Sequence, residues 1–114
     1  MVKESLDHPV VQRLPNVWTH LEEWYSWSNS PRQRGFNILA VLDEDSYLPL
    51  QKFMGRERDL SMGDHPVLWS NCVGRGRTVY SALGHTAEAF DKAEHRVLLR
   101  NALSWTLALE PGGC

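Results

Sequence analysis

The strongest pattern of apolar and polar positions lies between Asp64 and Thr86. Val67 to Val73 is mostly β-branched, aromatic or apolar, and Arg77 to Leu83 resumes that character after Gly74-Arg75-Gly76. The two glycines supply positions where the backbone takes φ > 0 without a Cβ clash, so the stretch predicts a β-hairpin. Phe36 to Leu42 is apolar on both faces apart from Asn37, and Asp43-Glu44-Asp45 ends it. Such a run predicts a strand covered on both sides, as in the middle of an α/β sheet. Further on, Asp91 and Glu94 form a capping-box-like pair. Val97, Leu98, Leu99, Ala102, Leu103, Trp105, Leu107 and Leu109 then leave only Arg96, Arg100 and Ser104 as a polar strip. That spacing predicts a helix packed against a sheet, or between a sheet and a partner, and stopped by Pro111-Gly112-Gly113.

The remaining segments are less regular. Asp7 to Leu14 suits one short helical turn, with Asp7 as N-cap and Pro15 forbidding continuation. Val17 to Trp27 has two readings. Trp18, Leu21, Trp24 and Tyr25 fit a helical stripe, whereas the density of aromatics favours extended structure, which is the expectation adopted. Ser28 to Gly35 reads as a loop. Ser46 to Gly63 reads as a long irregular loop, with Arg56-Glu57-Arg58-Asp59 as a solvated charge run.

Composition narrows the function classes. The 114 residues amount to one domain at most, and 42% hydrophobic content with five tryptophans argues against a disordered tail. A net charge of −2 gives no general basis for nucleic-acid or anionic-membrane binding, and the arginine pairs sit in turns or polar loops. Cys72 lies in a predicted strand and Cys114 is the last residue, so no structural disulfide is expected; Cys72 reads as a small buried apolar residue. No apolar leader or membrane-length run is present, which leads to the expectation of a soluble, cytoplasmic chain. His65 and His85 stand at opposite ends of the hairpin, but two histidines do not make a metal site, and neither metal nor cofactor is expected. His85 follows Gly84 where a strand gives way to a turn, so the strand fixes it and the turn exposes it. The alternative is a turn histidine that bonds its own backbone.

The pattern His65-Pro-Val-Leu-Trp, Gly74-Arg-Gly-Arg-Thr-Val-Tyr-Ser-Ala-Leu-Gly-His85-Thr-Ala-Glu-Ala-Phe and His95-Arg-Val-Leu-Leu to Trp105 resembles the ThuA-like (trehalose utilisation) family. Upstream, His8-Pro-Val, Glu22-Glu23-Trp-Tyr25, Ser30-Pro31 and the strand ending at Leu42-Asp43 fall in the matching order. That family belongs to the class I glutamine amidotransferase-like superfamily. The resemblance implies an α/β fold: a partial, C-terminal half of a class I glutamine amidotransferase-like, flavodoxin-like sheet with packed helices. Residues 1–114 would then form a single truncated ThuA-like domain lacking the half that builds the early parallel strands.

Residue by residue, the resemblance places His85 and Glu88 at the amidotransferase His-x-Glu dyad, with a spacing one residue longer. It places Glu22 and Glu23 at the family's acidic pair, with Glu where Asp is usual at position 22. The candidate catalytic residues are therefore His85, Glu23, Glu22 and Glu88, with Tyr25, Thr86 and Trp69 as candidate substrate contacts. Carboxylates and aromatics suit a small carbohydrate, because they accept hydroxyl hydrogen bonds and pack on the apolar ring face. The function implied is binding or conversion of a sugar or keto-sugar. The alternative is a non-catalytic binding or structural module, since no nucleophile is recognisable. A half-fold leaves sheet edges and an apolar face open, so a homo-oligomer, most simply a dimer, is expected.

Overall fold

Apolar runs and glycine turns divide the chain into six strands and one helix. The computed structural model describes Met1–Cys114. In chain order the elements are β1 (Val2–Lys3), β2 (Asn37–Val41), β3 (Leu50–Phe53), β4 (Arg56–Asp59), β5 (Pro66–Val73), β6 (Gly76–Ser81) and α1 (Ala93–Thr106). Short 3₁₀ turns lie at Pro9–Val11, Pro31–Arg34, Glu44–Ser46 and Ala87–Asp91. The main sheet runs β1-β2-β5-β6, and β3-β4 form a separate ribbon. The chain is α/β in content.

Every strand pairing is antiparallel. This corrects the expectation of a strand in the middle of a parallel, flavodoxin-like sheet. Ile38, Leu39 and Ala40 are buried on both faces as anticipated, but their neighbours β1 and β5 run in the opposite direction. A continuous apolar run reports burial on two faces and carries no information about strand direction. The β5–β6 link is a two-residue turn, with Val73 opposite Gly76 and Gly74 at φ 58°. A connection that short permits only antiparallel pairing.

One helix covers one face. His95, Leu98 and Trp105 are its buried residues, and the 3₁₀ turn Pro9–Val11 packs beside it with Val10 and Val11 fully buried. The apolar stripe is narrower than the sequence suggests, because Leu103, Leu107 and Leu109 stay largely exposed. Lys92, not Asp91, occupies the N-cap, and Asp91 instead accepts a hydrogen bond from Arg96 at 2.6 Å. The helix stops at Thr106, since Ala108 turns to φ 59° before Pro111 is reached.

The tail beyond α1 folds back onto the sheet and forms a Cys72–Cys114 disulfide, with Cα atoms 5.9 Å apart. This overturns the expectation of two unpaired cysteines, Cys72 as a lone apolar residue included. The Trp105 Nε1–H donates to Gly112 O at 2.8 Å, and the Arg77 guanidinium donates to Glu110 O at 2.7 Å. Gly113 lies so close to His8 and Trp105 that a Cβ would stand 2.6 Å from His8 Nε2. The missing side chain at Gly113 is what lets the tail seat there.

Two loops also resolve. Val17 to Trp27 contains no helix, and its side chains alternate: Leu21, Glu23 and Tyr25 point outward, Glu22 and Trp24 inward. Ser46 to Gly63 is not irregular throughout, because β3 and β4 form a hairpin turned by Met54 at φ 47° and Gly55 at φ 74°. All eight of its strand residues are exposed, so no buried alternation marks it in the sequence.

Candidate functional site

Extended backbone sends successive side chains to opposite sides. In the segment Leu21 to Tyr25 that alternation turns Glu22 toward the end of β6 and Glu23 toward solvent. The Glu22 carboxylate, with its side chain 1% exposed, accepts hydrogen bonds from the backbone N–H of Gly84 at 2.6 Å and of His85 at 3.0 Å. It also accepts from the N–H of Glu23 at 3.1 Å. Burial alone would raise its pKa, but the amides of Gly84, Glu23 and His85 more than offset this and hold it below the ordinary carboxylate value. Glu22 is thus a carboxylate clamp on the Gly84–His85 peptide.

Glycine is required at the clamped turn. Gly84 has φ +117°, and a Cβ there would stand 2.9 Å from Phe90 Cζ. With the peptide fixed, the His85 ring emerges on the outward side. There its Nε2 lies 3.1 Å from Glu23 Oε2, the two side chains 49% and 55% exposed. Sequence reasoning named Glu22, Glu23 and His85, and the fold brings all three together. They hold two different positions: Glu22 grips the backbone, while Glu23 meets the imidazole.

Behind the clamp lies a buried histidine pair. His20 and His95 meet edge to face with centroids 5.4 Å apart, and His20 Nε2 is 3.6 Å from Glu22 Oε2. Burial, then the neighbouring His95, holds His20 below the usual imidazole pKa against the opposing pull of Glu22. His95 Nδ1 donates to Ala89 O at 3.0 Å. His20 carries no spacing signal in the sequence, and His95 enters it only as part of the family pattern.

A second network holds the segment from the other side. The His65 Nε2–H donates to Tyr25 O at 3.0 Å, and its Nδ1 lies 2.8 Å from Glu44 Oε1 and 3.2 Å from the Tyr47 hydroxyl. Glu44 also accepts from the N–H groups of Met62 at 2.6 Å and Gly63 at 2.8 Å. Burial would raise the Glu44 carboxyl, but these amides and His65 bring it below its ordinary value. His65, 1% exposed, is therefore a backbone tether for the extended segment carrying Glu23. It does not converge with His85 on a metal; no group of three His, Cys, Asp or Glu is arranged to hold one.

The other candidates lie apart from the dyad. Glu88, on the turn Ala87–Asp91, is exposed, and its carboxyl is lowered first by its own backbone N–H and then by the Thr86 hydroxyl. The longer His85-x-x-Glu88 spacing thus yields no His–Glu contact; the partner of His85 is Glu23. Thr86 stands at the N-cap position of that turn without a side-chain cap hydrogen bond. Trp69 is stacked on Tyr80 at 4.0 Å, and Trp27 meets both rings edge-on at 5.5 and 5.6 Å, so Trp69 and Tyr80 each spend one ring face on the other. The aromatics left open on this face are Tyr25 and Tyr80, 50% and 38% exposed. Tyr80 was legible only through its cross-strand pairing with Trp69.

A ring nitrogen held on a carboxylate orients the imidazole and leaves its other nitrogen free to meet a ligand. No curated protein and no solved structure matches the chain. A family model does: the one described as ThuA, trehalose utilisation, matches residues 1–106, nearly the whole length. The clamped Gly84-His85 turn, the acidic pair that meets it and the hairpin leading into it all fall within that match, and the chain belongs to the ThuA (trehalose utilisation) family.

Proposed function

We propose that the chain binds a small sugar or keto-sugar on its outward face, with the Glu23–His85 dyad as the polar centre. The single observation that carries this reading is the Glu22 clamp, which fixes the His85 backbone so that the ring meets Glu23 at 3.1 Å. Family membership supports a carbohydrate-related role. The chemistry is that of sugar recognition: Glu23 accepts from hydroxyls, His85 exchanges a proton with a hydroxyl or carbonyl, and Tyr25 and Tyr80 offer rings to the C–H face of a pyranose. In this reading the chain corresponds to the C-terminal half of a class I glutamine amidotransferase-like fold.

The reaction, if chemistry follows binding, is proton transfer next to a keto-sugar carbonyl rather than covalent catalysis. Cys72 is held in a disulfide and offers no thiolate. The openness of the dyad to water, with both side chains about half exposed, favours a second reading as a non-catalytic binding module. Calorimetric titration of glucose, trehalose and a keto-glucoside into the wild type, H85A and E23Q separates these. Binding of one of them, weakened at least tenfold in both variants, supports the site. Product formation detected by NMR assigns it to an enzyme, and binding without turnover to a module. Failure of all three sugars to bind, or equal binding by H85A, overturns the site.

A further inference from the structure

The strand β6 is an unprotected sheet edge. Ala82 N–H donates to Val67 O at 2.9 Å, so the antiparallel alternation directs the amides of Gly76, Thr78 and Tyr80 toward β5. It turns those of Arg77, Val79 and Ser81 outward, and no backbone group of the chain meets them. Natural edges are blunted by lysine, proline, bulges or a covering loop. This one has none of these. Its single charged residue, Arg77, is drawn onto the helix side, with its guanidinium 5.1 Å from the Trp105 ring centroid and donating to Trp105 O and Glu110 O.

The edge is self-complementary. Paired antiparallel with itself about Val79, β6 sets Arg77 opposite Ser81, Thr78 opposite Tyr80 and Val79 opposite Val79, with no like charges facing. The outward amides and carbonyls of Arg77, Val79 and Ser81 then satisfy one another across the two-fold. The helix adds apolar area on the same side. Asn101 of α1 donates to Val10 O and Gln12 O on one flank, and at 100° per residue Leu99 and Leu103 fall on the opposite flank, away from the Pro9–Val11 turn. They are 39% and 61% exposed. Strand edge and leucine flank thus lie on one side of the molecule, as an isologous interface requires.

We propose that β6 pairs with β6 of a second copy about a two-fold axis at Val79, joining two four-stranded sheets into one of eight strands. The same register carries the Gly74-Arg75 turn of the second copy to the level of Leu83-Gly84. Arg75 of that copy thereby becomes a cation beside Glu23 and His85, suited to a sugar hydroxyl or an anionic substituent on it. This last contribution rests on the sugar-site reading above; the strand pairing does not.

Light scattering after size exclusion at about 50 μM, a concentration well above the Kd of a standard-sized interface, tests the pairing with the wild type, V79P and L103E. V79P deletes one outward donor and leaves the β5 ladder intact, while L103E charges an exposed position and preserves the fold. The expected result is twice the monomer mass for the wild type and a monomer for L103E, with slow exchange of the Arg77, Val79 and Ser81 amide protons in the wild type alone. A folded V79P is expected to be monomeric; if V79P does not fold, L103E and the exchange data decide. A monomeric wild type, a larger oligomer, or a dimer indifferent to L103E with fast-exchanging Val79 overturns the proposal. R75A should stay dimeric and lose at least fivefold in sugar affinity. Unchanged affinity removes Arg75 from the site. Sugar binding absent from a wild-type dimer counts against the sugar site and leaves the pairing standing.

Discussion

Replacing Glu22 by glutamine tests the clamp with almost no change in shape. One carboxylate oxygen becomes an NH₂ group, so whichever way the amide turns, either Gly84 N–H or His85 N–H faces another donor. The structure assigns 2.6 Å and 3.0 Å hydrogen bonds to those two groups, at a side chain only 1% exposed. Hydrogen bonds to a charged group contribute about 1.5–3 kcal/mol, and a stranded donor adds its own desolvation penalty. Glu22→Gln should therefore destabilise the fold by about 2–3 kcal/mol at neutral pH, read from urea unfolding at fixed protein concentration. The pH dependence has a defined sign. The folded-state pKa of Glu22 is lowered from the ordinary value of 4.5, so its contribution is complete above that value and is lost as pH falls through the folded pKa. The gap between wild type and variant should be widest near pH 7 and close on acidification. A gap under about 0.5 kcal/mol at pH 7, or one that widens toward acid, refutes the clamp.

Three further outcomes are expected. His65→Ala leaves Tyr25 O and part of Glu44 without partners and should cost about 2–4 kcal/mol; in chemical-shift maps the largest changes outside residue 65 should fall at Tyr25, Met62 and Gly63. Because Glu44 also has a lowered carboxyl, this difference too should shrink as pH falls below the carboxylate range. Cys114→Ser opens a cross-link spanning 42 residues, which the chain-entropy relation values at about 4 kcal/mol as an upper figure; alkylation without reductant followed by mass spectrometry should find no free thiol in the wild type. Gly84→Ala adds a Cβ 2.9 Å from Phe90 Cζ at φ +117° and should cost about 1–3 kcal/mol; unchanged unfolding midpoints would contradict the turn geometry.

How much of this was legible follows from what each pattern encodes. Phe36 to Leu42 and the Gly74 hairpin read correctly because apolar continuity and a glycine turn are local properties of the strand itself. Strand direction did not read, because it is decided by which segments meet, and β2 meets two antiparallel neighbours. The disulfide escaped because Cys72 and Cys114 become neighbours only through the folded-back glycine tail. The exposed β3–β4 arm escaped because nothing buries one of its faces.

The site divides along the same line. Glu22, Glu23 and His85 were nameable through the family resemblance, and the alternation from Leu21 to Tyr25 explains why two adjacent glutamates do different work. The Glu44–His65 tether was not nameable, since its members come from three separate segments, around Tyr25, Glu44 and Met62 to His65. Glu88 lies on the exposed Ala87–Asp91 turn, and the carboxylate that meets His85 is that of Glu23.

The most direct test of a sugar site built on a clamped histidine is an amide chemical-shift map during titration with trehalose and with a keto-glucoside. One of them is expected to shift Gly84, His85, Glu23 and Tyr25 together, with the shifts vanishing in His85→Ala. Shifts confined to other surfaces, or none at millimolar sugar, would contradict it.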